Sequence, residues 1–410
     1  MIMIDEKRII SVFLLLIFLS QGLVFSYPIK DDGDNSIGSK IYLFNQMKER
    51  VLLFDPTSGE VVHHMYATIG TPLATIDYDS DGDLDLLETS YEAILIFTND
   101  KGNYDNVTNI CDLPPQGQYL EDLTMGALAV GDFNNDGQQD FLTGGVQGVI
   151  RLFVNNNSQS GKPNFKNFST LAIFDQCAWG LTVADFNNDG YDDFAASYGA
   201  EHMDYSAITI FYNNGDLTFN QENIFQIEDH EILDLISGDF DNDGDIDLIF
   251  TKNIHKYKID GWPINIKGSY ILLENNGNNL FPSERVIATR GHDLLFYYGI
   301  IFHQFIQQPI KHLLGFNRFN PQLTNADYDN DGDIDFIVGD NSGKIELFLN
   351  DGNGNFDGDG VIHRYGYLTR GITSGDFDND GDIDIVIAAL SGYQNWGNGN
   401  VWLKQNQLNP

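Results

Sequence analysis

Basic residues are scarce in this chain: 22 lysines and arginines stand against 60 acidic side chains, a formal net charge of −38 over 410 residues. That balance repels a phosphate backbone and excludes nucleic acid as a partner. Cysteine is scarcer, with Cys111 and Cys177 alone. One disulfide between them is allowed in an oxidising compartment, but they fall at different offsets from the repeats described below, so none is required. Catalytic signatures are missing too. There is no G-x-S-x-G elbow and no H-E-x-x-H, and the nine histidines are scattered without metal-ligand spacing. The motifs alone give no reason to expect an enzyme.

Long apolar runs are absent after the N-terminus. Lys7 and Arg8 precede an apolar run from Ile9 to Leu19, and Val24 and Ser26 are small residues at a cleavage distance. Residues 1–26 therefore have the form of a secretory signal peptide. The other reading is an uncleaved anchor, for which Ile9–Phe25, at seventeen residues, is marginal in length. Either way, residues 27–410 are expected to lie outside the cytoplasm as one domain, secreted or at the cell surface. Three Asn-x-Ser/Thr sequons, at Asn106, Asn156 and Asn167, sit in turn-rich stretches open to glycosylation.

What the chain has in excess is aspartate, in one pattern. Six nine-residue segments read DYDSDGDLD, DFNNDGQQD, DFNNDGYDD, DFDNDGDID, DYDNDGDID and DFDNDGDID, and 27 of the 60 acids lie inside them. Oxygen-bearing side chains at positions one, three, five and nine converge if the backbone turns tightly at the glycine of position six. Hard oxygen ligands gathered so suit calcium, with a backbone carbonyl at position seven and the ninth carboxylate able to use both oxygens. The expected metal positions are Asp77, Asp79, Asp81, Asp83 and Asp85; Asp132, Asn134, Asp136, Gln138 and Asp140; Asp185, Asn187, Asp189, Tyr191 and Asp193. The later three loops add Asp239, Asp241, Asp243, Asp245 and Asp247; Asp327, Asp329, Asp331, Asp333 and Asp335; Asp376, Asp378, Asp380, Asp382 and Asp384. About six calcium ions are expected. The loops at Asp132 and Asp185 carry Asn at position three and should bind more weakly. Loops this acidic repel themselves, so calcium is expected to contribute to folding.

An apolar run follows each loop at once, which is a strand signal and not the helix of an EF-hand. The motifs start 49 to 55 residues apart, save one interval of 88. That period is the range of propeller blades. Each unit goes on to a second β-patterned run and an Asn-Gly or Asp-Gly turn, as in SAITIFYNNG and GKIELFLNDG. Four short strands per unit, the ion loop joining the first two, make one blade.

On these residues the chain resembles the FG-GAP or VCBS repeats that build the propeller of integrin α-chains and of many microbial surface proteins. The resemblance spans roughly residues 40–410. It implies an all-β, calcium-binding β-propeller and leaves function open, since propellers host adhesion, sugar binding and catalysis alike.

Blade number rests on the ends. Residues 38–66 hold two or three β-patterned runs without an ion loop, and the chain closes on a strand at Asn400-Val-Trp402-Leu. Strands from both termini can complete one blade and remove the exposed edge. The N-terminal segment has more strand runs than closure needs, which points to seven blades over six, with calcium loops in six. The 88-residue interval carries an apolar insertion at about 293–316, divided by Pro309. It reads as a plug on the rim, with a partner-binding element or membrane contact as the sharper readings. Membrane contact is otherwise expected only through an uncleaved N-terminus.

Residues five or six before each loop begin the innermost strand, near the mouth of a central channel. Trp179, Asp234, Gln322 and Arg370 would bring a stacking ring, charges and an amide to that rim as a ligand site. Three function classes follow: an adhesion or binding module for an extracellular protein or glycan, a secreted polysaccharide-active lyase or hydrolase on a propeller scaffold, and a structural surface component. The first is preferred, because every strong motif is an ion site in a scaffold and none is catalytic.

Overall fold

The computed structural model describes residues 51–404 except 55–60, 66–71, 90–93, 101–102, 111–126, 146–147, 157–162, 166–167, 200–204, 255–256, 260–261, 265–266, 278–279, 292–320, 341–342, 365–367, 378, 380 and 391–398. The N-terminal segment 1–26, Cys111, the insertion at 293–316, Asp378 and Asp380 lie outside these residues, and so does the side chain of Arg370.

Two strands, β1 (Val51–Phe54) and β2 (Val61–Met65), pair antiparallel ahead of the repeats. The first blade is β3 (Leu73–Ile76), β4 (Asp85–Thr89), β5 (Ile94–Asp100) and β6 (Asn103–Asn109). The second is β7 (Ala127–Gly131), β8 (Asp140–Gly144), β9 (Val149–Phe153) and β10 (Phe168–Ile173). The third is β11 (Ala178–Ala184), β12 (Asp193–Gly199), β13 (Tyr205–Asn213) and β14 (Phe219–Glu228). The fourth begins with β15 (His230–Gly238) and β16 (Asp247–Ile254) and makes an excursion through the hairpin β17 (Tyr257–Ile259) and β18 (Trp262–Ile264). It ends with β19 (Lys267–Leu273) and β20 (Glu284–Gly291). The fifth is β21 (Gln322–Ala326), β22 (Asp335–Gly339), β23 (Lys344–Asn350) and β24 (Phe356–Arg364). The sixth has three strands, β25 (Leu368–Gly375), β26 (Asp384–Leu390) and β27 (Gly399–Lys404). All neighbours within a blade are antiparallel, as tight turns between consecutive strands demand.

The expectation of seven blades is corrected. The innermost strands β3, β7, β11, β15, β21 and β25 each pack against the next, and β25 returns to β3, which closes a ring of six. Among the described residues five blades are complete and the sixth has three strands. The N-terminal runs that pointed to a seventh blade lie elsewhere: β1 runs alongside β27, and β2 alongside β6. The hairpin β17–β18 takes up part of the long interval. Among the described residues no helix is long and apolar enough to cross a membrane.

The core is divided among the joints between blades. The second strand of the blade is buried along its length in β4, β8, β12 and β22, and in β16 apart from Lys252, because blades cover both its faces. That is why the runs after the loops are continuous apolar stretches and not alternating ones. Six apolar clusters result, one at each joint. The cluster at the sixth–first joint joins Phe377, Val386 and Ala388 to Leu73, Leu86, Phe97 and Tyr104. The aromatic residue at loop position two is part of the same arrangement. Phe133, Phe186, Phe240, Tyr328 and Phe377 are buried, and Tyr78 packs on Phe165 of the next blade. Phe240 meets Phe356 of the fifth blade at 5.9 Å between ring centres. Phe240→Ala should cost about 3–5 kcal/mol of stability, since it empties a joint that two rigid sheets cannot close over. Urea unfolding in calcium measures it, and a loss under 1 kcal/mol would mean the joints are not the core.

Candidate functional site

Each acidic loop joins the first strand of its blade to the second, so all six gather at one end of the ring. The loop geometry repeats closely. The position-six glycines have φ between 83° and 98°, and at Gly82, Gly137, Gly190, Gly244, Gly332 and Gly381 an added Cβ would meet nothing within 4 Å. Glycine is there for its left-handed backbone and not for space. Position four is left-handed as well, at Ser80, Asn135, Asn188, Asn242, Asn330 and Asn379, with φ from 54° to 59°.

Within a loop the first aspartate organises the turn. In the fourth loop Asp243 N donates to Asp239 Oδ1 at 3.0 Å and Gly244 N to Oδ2 at 3.0 Å. Position five closes a smaller turn, Asp245 N donating to Asp243 Oδ1 at 3.0 Å. Position nine is buried and spans two strands. Asp247 Oδ2 accepts from Phe240 N at 3.1 Å, and Oδ1 accepts from Asn275 N at 2.8 Å. Asp85, Asp140, Asp193 and Asp335 repeat this pairing. Each oxygen still has a second lone pair free for a cation.

Carboxylates at positions one, three and nine come together within 4.8 Å in three loops: Asp77, Asp79 and Asp85; Asp239, Asp241 and Asp247; Asp327, Asp329 and Asp335. Asn134 and Asn187 replace a carboxylate at position three of the second and third loops, and their Nδ2 atoms donate to Asp136 and Asp189 at 3.1 and 3.0 Å. Position five is drawn to its own turn. The side chains at position seven, expected to matter only through their carbonyls, lie at the joints between loops.

Electrostatics mark the same atoms. Burial, opposed by the backbone N–H donors, pushes Asp85, Asp140, Asp193 and Asp247 up to about 7, and Asp335 to about 6. Asp79, Asp241 and Asp329 are raised first by burial and then by the neighbouring carboxylate at position five. Buried Asp77 Oδ1 and Asp329 Oδ1 have no hydrogen-bond partner among the described residues. The described ion pairs, Lys252–Glu284, Arg285–Glu274, Arg290–Glu346 and Lys344–Glu346, take no loop carboxylate. A divalent cation with oxygen preference fits this donor set.

Side chains that sequence reading passed over tie the loops into a ring. Asn188 Nδ2 donates to Asp245 Oδ1 of the next loop at 3.5 Å, Asn242 to Asp333 at 2.7 Å, Asn330 to Asp382 at 3.1 Å, and Asn379 to Asp83 at 2.7 Å. Asn135, facing Tyr191 at position seven, takes the Gly190 carbonyl instead at 2.9 Å. The first joint has Ser80 at position four, and there Gln139 Oε1 accepts from Asp77 N at 2.7 Å. A second set staples the blades from the end of the third strand. The Asn213 amide donates to Phe133 O at 2.8 Å, Asn350 to Phe240 O at 2.8 Å, and Asn99 to Phe377 O at 3.1 Å. The available signal was Asn at position four in five loops, beyond what a left-handed turn needs.

The other feature is the channel. The six innermost strands surround a cavity of about 340 Å³. Trp179, Asp234 and Gln322 line it. β11, β15 and β25 slip register at Ala178/Gly180, Ile232/Leu235 and Thr369/Gly371. Positions 179, 234 and 370 thus sit in backbone bulges, and at Trp179 and Asp234 the bulge re-aims the side chain. Trp179 Nε1 donates to Gly199 O at 3.0 Å, which fixes the indole. Asp234 Oδ1 accepts from Leu235 N at 3.0 Å, and Oδ2 from Leu323 N of the next blade at 2.8 Å. It is surrounded by protein but keeps some surface on the channel, and burial pushes its carboxyl up to about 7.

The FG-GAP-like repeat family matches at residues 77–143, 132–196 and 327–387. No curated protein matches the sequence. Among solved structures the chain is similar to a Dos1 propeller at 12% identity, covering 84% of this chain and 80% of that one, with a TM-score of 0.41. It is also similar to a mutant of the alpha-L-arabinofuranosidase arb93a from Fusarium graminearum, solved with an iminosugar inhibitor. That match has 11% identity, covers 86% of this chain and 96% of the enzyme, and has a TM-score of 0.50. At 11% identity this second likeness carries the fold and not the chemistry. The three matched stretches lie on the loops and strands of the ring, so the chain carries FG-GAP-like repeats in at least these three places.

Proposed function

We propose that the protein is an extracytoplasmic binding module, a propeller stabilised by up to six calcium ions that meets a protein or glycan ligand at the channel end away from its loops. Positions one, three, five and nine, with the carbonyl at seven, would hold each ion, which supplies positive charge to carboxylates that otherwise repel. The second and third loops, with Asn134 and Asn187, would bind more weakly. The observation that carries this reading is the division of labour along the innermost strands. Their ends run into the acidic loops, and Trp179, Asp234 and Gln322 turn into the channel some five residues earlier. The signal-like N-terminus supports export.

A polysaccharide-active enzyme is the alternative. Glycoside hydrolysis commonly uses two carboxyl groups flanking one bond. Asp234 is the one carboxylate among the described residues lining the channel, which favours binding. The test is capture of a ligand from a glycan array or a native cell surface. Trp179→Ala and Arg370→Ala should each weaken capture about tenfold or more, as central contacts do. Loss of one ion site by Asp241→Ala should leave capture intact. Unchanged affinity in both rim variants sinks the channel as the binding site.

A further inference from the structure

We propose that the channel binds a small organic cation of the alkylammonium class, with the Asp234 carboxylate as counter-charge and the Trp179 ring as a wall. This goes beyond the protein- or glycan-binding reading above. Asp234 and Trp179 belong to adjacent blades held unusually close. A Cβ added at Gly180 would come within 3.0 Å of the Asp234 Cα and 2.5 Å of Leu235 Cδ2. Both residues occupy bulges on neighbouring strands, so two departures from regular pairing serve one spot.

The chemistry of the walls selects the ligand class. Asp234 accepts two backbone N–H bonds, one from its own strand and one from the next blade, which hold the carboxylate in place without neutralising it. No cationic side chain lies among the described residues that line the cavity. The remaining walls are mostly polar and include the Gln322 amide and the Thr324 hydroxyl, while Leu181, Leu235 and Leu323 pack into the joints between blades. A carboxylate withdrawn from bulk water is costly unless a cation or enough hydrogen bonds meet it. A small alkylammonium answers this site: its charge meets the Asp234 carboxylate, and its alkyl groups meet the Trp179 indole that lines the same cavity. The −38 charge of the chain concentrates cations around it. A cavity of about 340 Å³ holds a ligand of several carbons and excludes a folded partner.

The full chain in millimolar calcium should be titrated with n-butylammonium chloride, its neutral isostere n-butanol, and glucose, followed by tryptophan fluorescence and calorimetry. Saturable butylammonium binding at least about tenfold tighter than butanol is expected, because only the cation gains from the carboxylate. Asp234→Asn should remove that preference, and Trp179→Leu should remove the fluorescence response. The comparison on the unaltered chain needs no variant to fold. Equal binding of butanol and butylammonium overturns the proposal, as does binding of glucose alone or of none of the three. Arg370→Ala tests the opposite bulge. Butylammonium binding that appears only in that variant would show Arg370 already neutralising Asp234, which also overturns it. Capture of a protein or glycan through Trp179 without any butylammonium response would overturn this inference and leave the binding module standing.

Discussion

Chelation should lower the melting temperature by roughly ten degrees or more. An ion that binds only the folded state stabilises it by about 2.7 kcal/mol when its free concentration is a hundred times the dissociation constant. For domains of a few hundred residues each kcal/mol is worth about 2 °C. Even three occupied loops, those with carboxylates at positions one, three and nine within 4.8 Å, would suffice. Scanning calorimetry in millimolar calcium and in excess chelator measures the shift. Identical melting in the two would mean that the loops are empty or do not matter to the fold.

The pH dependence without calcium has a definite sign. Asp85, Asp140, Asp193 and Asp247 are raised from 3.8 to about 7 in the folded chain, and Asp335 to about 6, chiefly by burial. The folded state therefore holds protons that the unfolded state has released. The stability from that preference is complete below about pH 4 and is lost as pH rises through 6 to 7. In chelator the protein should thus melt higher at pH 5 than at pH 8. Calcium takes the ionised carboxylates, so in its presence the order reverses.

The loops were legible in the sequence because their chemistry is local. A glycine needing positive φ and oxygen side chains at fixed offsets specify the turn whatever surrounds it. Blade type was legible too, from runs such as Asp247-Leu-Ile-Phe that only a strand covered on both faces can bury. Blade number was not. Val51–Phe54 and Val61–Met65 are strands, as the pattern expected, but a strand does not announce which sheet edge it covers. Here β1 lies by β27 and β2 by β6, and the single ring of six innermost strands closes without them. The channel was half legible. Offsets put Trp179, Asp234 and Gln322 in it, but a bulge depends on where pairing slips against the next strand, and no local residue type at 178–180 or 232–235 encodes that. The loop-to-loop bonds were illegible for a like reason. Asn242 and Asp333 are 91 positions apart and meet only when the fourth blade packs on the fifth.

The ninth aspartate and the third should fail in different ways when replaced, which separates what the carboxylates do for the chain from what they do for an ion. Asp247 is fully buried and receives two backbone N–H groups, from Phe240 at 3.1 Å and Asn275 at 2.8 Å. Asp247→Ala leaves both donors buried without an acceptor, at about 1–3 kcal/mol each, so it should destabilise by about 2–5 kcal/mol even in chelator. Asp241 is half-buried, and its carboxyl is raised by burial and by the charge of Asp243. Removing it without calcium relieves repulsion, so Asp241→Ala should be neutral or slightly stabilising in chelator. In calcium the same change takes away a ligand and should lower stability by about the linkage energy of one site, near 2–3 kcal/mol. Urea unfolding of both variants, with and without calcium, gives four numbers. If Asp241→Ala costs as much in chelator as in calcium, position three is structural and not a ligand. If Asp247→Ala costs nothing in chelator, its two backbone bonds do not hold the blade, and calcium alone accounts for the loop.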